Sequence, residues 1–292
     1  MLPSLLRITV PLSLSSYARS ALSTAQHLLV PRGLRLFGGG AQAALAAYGV
    51  IQGMSLPILL FPAALIAVIA DLIVPELTEA QVQGRLRGLG YMLERLYRLG
   101  LFFSMAVAGA CFFFAHPLGE LIYSEPAAGQ YIRLLAPLVP IMYMDTLVDG
   151  MLKGVGEYRA NMRYNIIDAA TGLLLVWLLL PRYGVAGYLF SISATELLNF
   201  ALSAARLTRV TVFRLQPLCW LLTAAAAVGG WWLLRLIFGR LLSRTGQPLI
   251  LLLLVVLYLA CYGAALLLCG ALRREELSWL FSLLRGEKSP KT

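Results

Sequence analysis

Charge, cysteine and histidine are scarce in this 292-residue chain, and each scarcity closes off a class of chemistry. Charged residues make up 13% of it against 60% hydrophobic, and the mean hydropathy is +0.79, outside the range of a soluble globular domain. The four cysteines, Cys111, Cys219, Cys261 and Cys269, fall in or beside apolar runs with no CxxC spacing. They read as small buried hydrophobes rather than a disulfide frame or a thiolate cluster. The two histidines, His27 and His116, stand too far apart in sequence to suggest a ligand pair, so no structural metal, heme, iron–sulfur cluster or other cofactor is expected. GxGxxG, Walker-type and GxSxG motifs are missing as well. Nucleotide hydrolysis and serine chemistry therefore have no support, and the chain is not expected to be an enzyme. Period-two alternation in ten-residue segments is also lacking, which sets aside a β-barrel.

What the chain has instead is long apolar runs. Eight are long enough to span a bilayer, at about 20 residues for a core of about 30 Å: residues 5–30, 43–75, 95–115, 128–152, 158–180, 184–206, 217–238 and 248–271. Backbone groups in lipid must be satisfied within the segment, so the fold class is all-α, a polytopic integral membrane protein. The opening segment lacks the layout of a cleavable signal peptide and reads as a retained span.

The formal charge of +10 is placed as a membrane protein places it, not as a nucleic-acid binder does. With the N-terminus inside, the inner side carries Arg7, Arg85, Arg87, Arg95, Arg98, Lys153, Arg159, Arg163, Arg206, Arg209 and Arg214, then Arg273, Arg274, Arg285, Lys288 and Lys291. The outer side holds only Arg32, Arg35, Arg182, Arg235, Arg240 and Arg244. By the positive-inside rule both termini are cytoplasmic and the protein sits in the cell membrane. Residues 78–94 and 273–285 look like amphipathic basic helices lying on anionic lipid, with Val82, Leu86, Leu89 and Leu93 on the apolar face of the first.

Arg19, Asp168 and Glu196 are charged residues that sit deep inside apolar runs. A bare charge at membrane depth costs several kcal/mol, so such residues are expected to face a polar cavity or a partner. In the first run Thr9, Ser13, Ser16, Ser20, Ser23 and His27 recur at steps of three and four, one helical face, with Arg19 at its flank. The small hydroxyls suit either close helix packing or the wall of a hydrated cavity. Arg19 is too deep to snorkel, and its guanidinium suits either bidentate phosphate or an acid on a neighbouring helix.

The runs at 158–180 and 184–206 are joined by "LPRYGVAG", short enough to force an antiparallel hairpin. With Arg182 as its centre, Asp168 mirrors Glu196 and Asn165 mirrors Asn199, so two acids and two amides converge near mid-membrane. Two carboxylates held together in low dielectric retain a proton or bind a cation between them, as coupling to H+ or Na+ requires; an interhelical hydrogen-bond clamp is the plainer use. Asp145 and Asp149, one turn apart, read as interfacial. The pairs Pro57 and Pro62, and Pro137 and Pro140, are expected to kink their helices.

The strings "ITVPLSLSSYARSALSTAQHLLVPRGL", "YGVIQGMSLPILLFPAALI", "IADLIVPELTEA", "IRLLAPLVPIMYMDTLVDGMLKGVGEYRANMRYNIIDA" and "LLPRYGVAGY" resemble the C-terminal half of the stage V sporulation protein B family. Its members are oligosaccharide-lipid flippases of the multidrug/oligosaccharidyl-lipid/polysaccharide exporter superfamily. The resemblance covers about residues 5–210. It implies alternating-access transport of polyprenyl-pyrophosphate-linked sugars for wall or spore-cortex peptidoglycan. It places Arg19 at the arginine of the family's equivalent helix, with Ser16, Ser20 and Ser23 beside it as substrate-binding residues. It also implies a cation site near Asn165, Asp168, Glu196 and Asn199, with a one-residue difference in spacing at Asn165 and Asp168. Residues 1–210 then form one six-helix lobe of a MATE-like flippase, and residues 211–292 two further spans with an amphipathic cytoplasmic tail.

Family members have two such lobes. The expected partners are therefore the lipid-linked sugar, membrane lipids and an N-terminal lobe on a separate chain or missing, and no nucleic acid. The alternatives are a non-transporting membrane scaffold, a truncated fragment, or a polyprenyl-phosphate-processing membrane enzyme.

Overall fold

The structure is a computed structural model that describes residues 2–37, 40–242 and 246–270, with side chains at Ser13 and from Ser16 onward. The expected amphipathic helix at 273–285 and the side chain of Thr9 lie outside the described residues. Every described element is helical. Six stretches are long and apolar enough to cross a membrane: residues 41–60, 86–113, 126–154, 158–210, 217–242 and 248–268.

α1 (Leu2–Arg35) contains the first expected span. The second is broken at its prolines into α2 (Ala41–Val50), a π-helical turn (Ile51–Ser55), α3 (Leu56–Leu60) and α4 (Ala63–Val82). Phe61 and Pro62 separate α3 from α4, as expected where a proline removes a helical hydrogen bond. α5 (Leu86–Phe113) is followed by the short α6 (Ala115–Tyr123) and α7 (Pro126–Leu135). A 3-10 turn at Ala136–Leu138, the second proline pair, leads into α8 (Val139–Gly154). α9 (Tyr158–Val210), α10 (Pro217–Leu242) and α11 (Pro248–Leu268) are the last of the described elements.

No separate interfacial helix occupies residues 78–94. α4 runs to Val82, a turn at Gly84 (φ 66°) follows, and α5 starts at Leu86. Leu89 and Leu93 are buried in the core. The amphipathic pattern there belongs to the ends of two packed helices, of which α5 buries Leu89 and Leu93 while Val82 and Leu86 stay exposed.

α9 is two helices joined at Gly184, whose φ of 56° and ψ of −130° favour glycine. An added Cβ at Gly187 would lie 2.7 Å from the Leu179 carbonyl oxygen. In a straight helix residues eight apart are separated by about 12 Å, so the chain doubles back, as the short loop requires. The reversal is at Gly184 rather than Arg182.

α1 packs in parallel with the first leg of α9. Gly33 meets Leu180 and Gly172 meets Gln26, with added Cβ atoms 2.9 Å from Leu180 Cβ and 3.1 Å from Gln26 Oε1. α4 and α8 are likewise parallel, Gly150 against Ala70 and Gly154 against Leu77. One cluster of buried Leu, Ile, Val and aromatic side chains runs through α1 to α9, and a second, around Phe114, Leu234, Leu254 and Tyr258, joins α10 and α11 to the end of α5.

Candidate functional site

The parallel register of α1 on α9, carried down from Gly33 and Gly172, brings Arg19 to the depth of Asn165 and Asp168. Arg19 lies within electrostatic range of both Asp168 and Glu196, and Asp168 within range of Glu196. The hairpin and the parallel pairing thus bring together three residues that are far apart in sequence. Arg19 is on an exposed face of α1 with Ser16 and Ser20, while Ser23, Asp168 and Glu196 are half-buried and Asn165 and Asn199 are buried.

The sequence reading missed the contribution of α8. Asp145 and Asp149, read as interfacial, are half-buried and meet both legs of α9. Asn199 Nδ2 donates to Asp145 Oδ2 at 2.8 Å. Asp149 accepts from Asn165 Nδ2 (3.0 Å) through Oδ2, from Ser203 Oγ (3.1 Å) through Oδ1, and from Asn161 Nδ2 (3.1 Å) through its main-chain carbonyl. Asn165 also donates to Asn161 Oδ1 at 2.7 Å. Asp149 therefore pairs Asn165 with Ser203, not with Asn199, a shift of about one turn that follows from the reversal at Gly184. The signal was available: Asp145 and Asp149 share the one-turn spacing of Asn161 and Asn165, and both spacings place paired groups on one helical face.

Four carboxylates, Asp145, Asp149, Asp168 and Glu196, fall within electrostatic range of Asp145 or are Asp145 itself. Hydrogen bonds do not use up the oxygens. Asp145 Oδ1 and Asn199 Oδ1 are buried acceptors with no hydrogen-bond partner among the described residues. A buried acceptor without a donor costs about 1–3 kcal/mol, so this pair of oxygens suits a proton or a hard cation. Among the described residues no three acidic, His or Cys side chains converge at metal-ligating spacing. A cation here would draw on amide and hydroxyl oxygens as well.

The open ends of the hairpin are held by Arg206, whose Nε and Nη2 donate to Glu157 at 2.9–3.1 Å. This two-pronged pair fixes the two legs where the loop at Gly184 cannot.

The MatE family model matches residues 35–178. That match covers just under half of the chain. Its matched part holds α8 with Asp145 and Asp149 and the first leg of α9 with Asn165 and Asp168; Arg19, Glu196 and Asn199 lie outside it. The chain is similar to stage V sporulation protein B of Bacillus subtilis (strain 168), at 25% identity over 208 residues, 70% of this chain and 40% of that protein. It is also similar to sporulation protein YkvU of the same organism, at 22% identity over 175 residues, 60% of this chain and 39% of that protein. The chain thus spans about two fifths of the length of the curated relatives it matches. With six stretches of its described residues long and apolar enough to cross a membrane, it is a multi-pass membrane protein.

Proposed function

We propose that this chain forms one lobe of a flippase for polyprenyl-pyrophosphate-linked sugars, such as a peptidoglycan precursor, with transport coupled to Na+ or H+. The observation that carries the reading is the placement of Arg19 on an exposed helical face, electrostatically linked to Asp168 and Glu196 behind it. An exposed arginine in the middle of a membrane helix needs a polar neighbour on its open side. A second lobe facing α1 would enclose that arginine in a cavity, and the length of the curated relatives leaves room for one.

In this reading Arg19, with Ser16, Ser20 and Ser23 along α1, receives the pyrophosphate, for which a planar guanidinium is the suited donor. Asn165, Asp168, Glu196 and Asn199 form the coupling site, joined by Asp145 through its hydrogen bond to Asn199. Cation or proton binding changes the charge behind Arg19 and so changes how strongly Arg19 holds its anion. The two lobes then rock against each other around the site. The basic end of the bundle faces the cytoplasm by the positive-inside rule, and the membrane is the cell membrane.

The test is Arg19→Ala in a two-lobe assembly reconstituted in vesicles. Losing a charge-assisted contact is expected to lower translocation of the lipid-linked sugar by about tenfold to a hundredfold. Unchanged translocation removes Arg19 from the mechanism. A second reading, a non-transporting membrane subunit, is favoured by the hydrogen bonds that already clamp α8 to both legs of α9. Stable purification of the chain with neither a second lobe nor lipid-linked sugar bound would support it.

A further inference from the structure

At the end of the bundle opposite Gly184, the start and finish of α9 enclose a cavity of about 320 Å³ lined by Glu157, Arg159, Ala160, Arg163, Tyr164 and Arg206. Its charges are unbalanced. Glu157 is taken by Arg206, while Arg159 and Arg163 are exposed and form no ion pair among the described residues. They stand one helical turn apart, so their guanidinium groups lie on the same face, side by side. Two unpaired guanidinium groups held this close repel each other unless an anion lies between them.

The surroundings favour an anion further. The cavity is at the N-terminus of a long helix, where the first main-chain N–H groups and the helix dipole attract negative charge. Ala160 N and Asn161 N are used by the Glu157 carbonyl, so the first turn offers only its earliest N–H groups and the arginines provide most of the binding. Lys153 precedes the cavity in sequence, and Arg209 and Arg214 follow the other leg, which makes this the basic end of the molecule. Tyr158, 41% exposed, and Tyr164 flank the site with the amphipathic rings typical of a membrane–water boundary.

We infer that this cavity binds a phosphate group, with Arg159 and Arg163 as its paired donors and Arg206 held alongside by Glu157. Guanidinium forks match phosphate oxygens two at a time, and basic pockets between membrane helices are suited to anionic lipid headgroups. The cavity is separate from the Arg19 face, and the inference does not depend on transport.

The full chain in nanodiscs tests it in two arms. In discs of phosphatidylcholine mixed with phosphatidylglycerol, native mass spectrometry is expected to show phosphatidylglycerol retained about tenfold over phosphatidylcholine. Arg159→Gln/Arg163→Gln is expected to abolish that preference, whereas Arg209→Gln/Arg214→Gln, with the same loss of charge outside the cavity, keeps it. In discs of phosphatidylcholine alone, inorganic phosphate is titrated and thermal unfolding recorded. Stabilisation by phosphate that needs Arg159 and Arg163 assigns the site to soluble phosphate; retention of lipid without it assigns the site to a headgroup. Because both arginines are exposed and unpaired, the double variant should unfold at the wild-type temperature in phosphatidylcholine discs; single Arg163→Gln provides a milder check. Binding of neither probe, binding unchanged in the double variant, or equal loss in both double variants overturns the inference.

Discussion

α8 meets the two legs of α9 through carboxylates, amides and a hydroxyl, whereas α10 and α11 contain no acidic residue, approach each other closely at Gly230 and share rings with the end of α5. At the second interface Phe113 stacks on Trp231 with centroids 4.5 Å apart, and Tyr258 packs against Phe113 and Phe114. Lipid tails are as apolar as leucine, so van der Waals packing and close backbone approach are enough to hold helices together in a membrane. The α10–α11 pair shows that this chain can build an interface that way. Charged groups between α8 and α9 are therefore not required for cohesion, and their desolvation cost points to a functional use.

Asp145→Asn should give the largest effect, because it separates the two uses. The substitution keeps the shape of the side chain and its partner Asn199 but removes the charge. If the cluster takes up a cation or proton, raising Na+ or lowering pH stabilises the wild-type chain in detergent, by about 2.7 kcal/mol at a hundred times Kd. Asp145→Asn is expected to lose most of that response. Its unfolding temperature without added ion should stay the same or rise, since one of several mutually repelling carboxylates is gone. A variant that responds to ion like the wild type would remove Asp145 from coupling and leave the network as a structural clamp.

Gly230→Ala tests the other side of the comparison. An added Cβ would fall 2.9 Å from both Cα and N of Tyr262, and backbone cannot move aside as a side chain can. α10 and α11 must separate, at a cost of about 1–3 kcal/mol in thermal unfolding. The ion response should remain, because this interface carries no carboxylate. A coupled loss would show that the two regions behave as one unit.

The unequal legibility of the two regions has the same physical origin. Hydrophobic length alone locates the helices, since a spanning helix satisfies its own backbone and needs no partner to be recognised; each expected run overlaps a described helix, with breaks at Phe61–Pro62 and Ala136–Leu138. The hairpin in α9 was readable because its loop is short. Its register was not, because the reversal depends on one residue adopting a positive φ, and Gly184 is one of two glycines in the stretch, beside Gly187. That two-residue difference moves Asn165 from Asn199 to Ser203. Asp145 and Asp149 were misread because depth in sequence is not depth in the bundle. The 3-10 turn at Ala136–Leu138 changes where α8 sits, and the polar groups facing it come from residues 12 to 54 positions away. The amphipathic pattern at 78–94 failed for a related reason: one apolar face fits a lipid surface and a protein neighbour equally well.

Tyr262→Phe should give the smallest effect. The Tyr262 hydroxyl donates to the Phe102 carbonyl at 3.0 Å and ties α11 to α5. That carbonyl lies inside a helix, where it already accepts from the backbone, so removing the hydroxyl leaves no acceptor unsatisfied. The ring keeps its place beside Tyr258 at a centroid distance of 6.4 Å. Interhelical hydrogen bonds in membrane proteins average about 0.6 kcal/mol, and a loss near that value in thermal unfolding is expected, with ion response unchanged. A loss several times larger would mean that the α11 attachment depends on polar contacts as the α8–α9 network does, and the contrast between the two regions would fail on its apolar side.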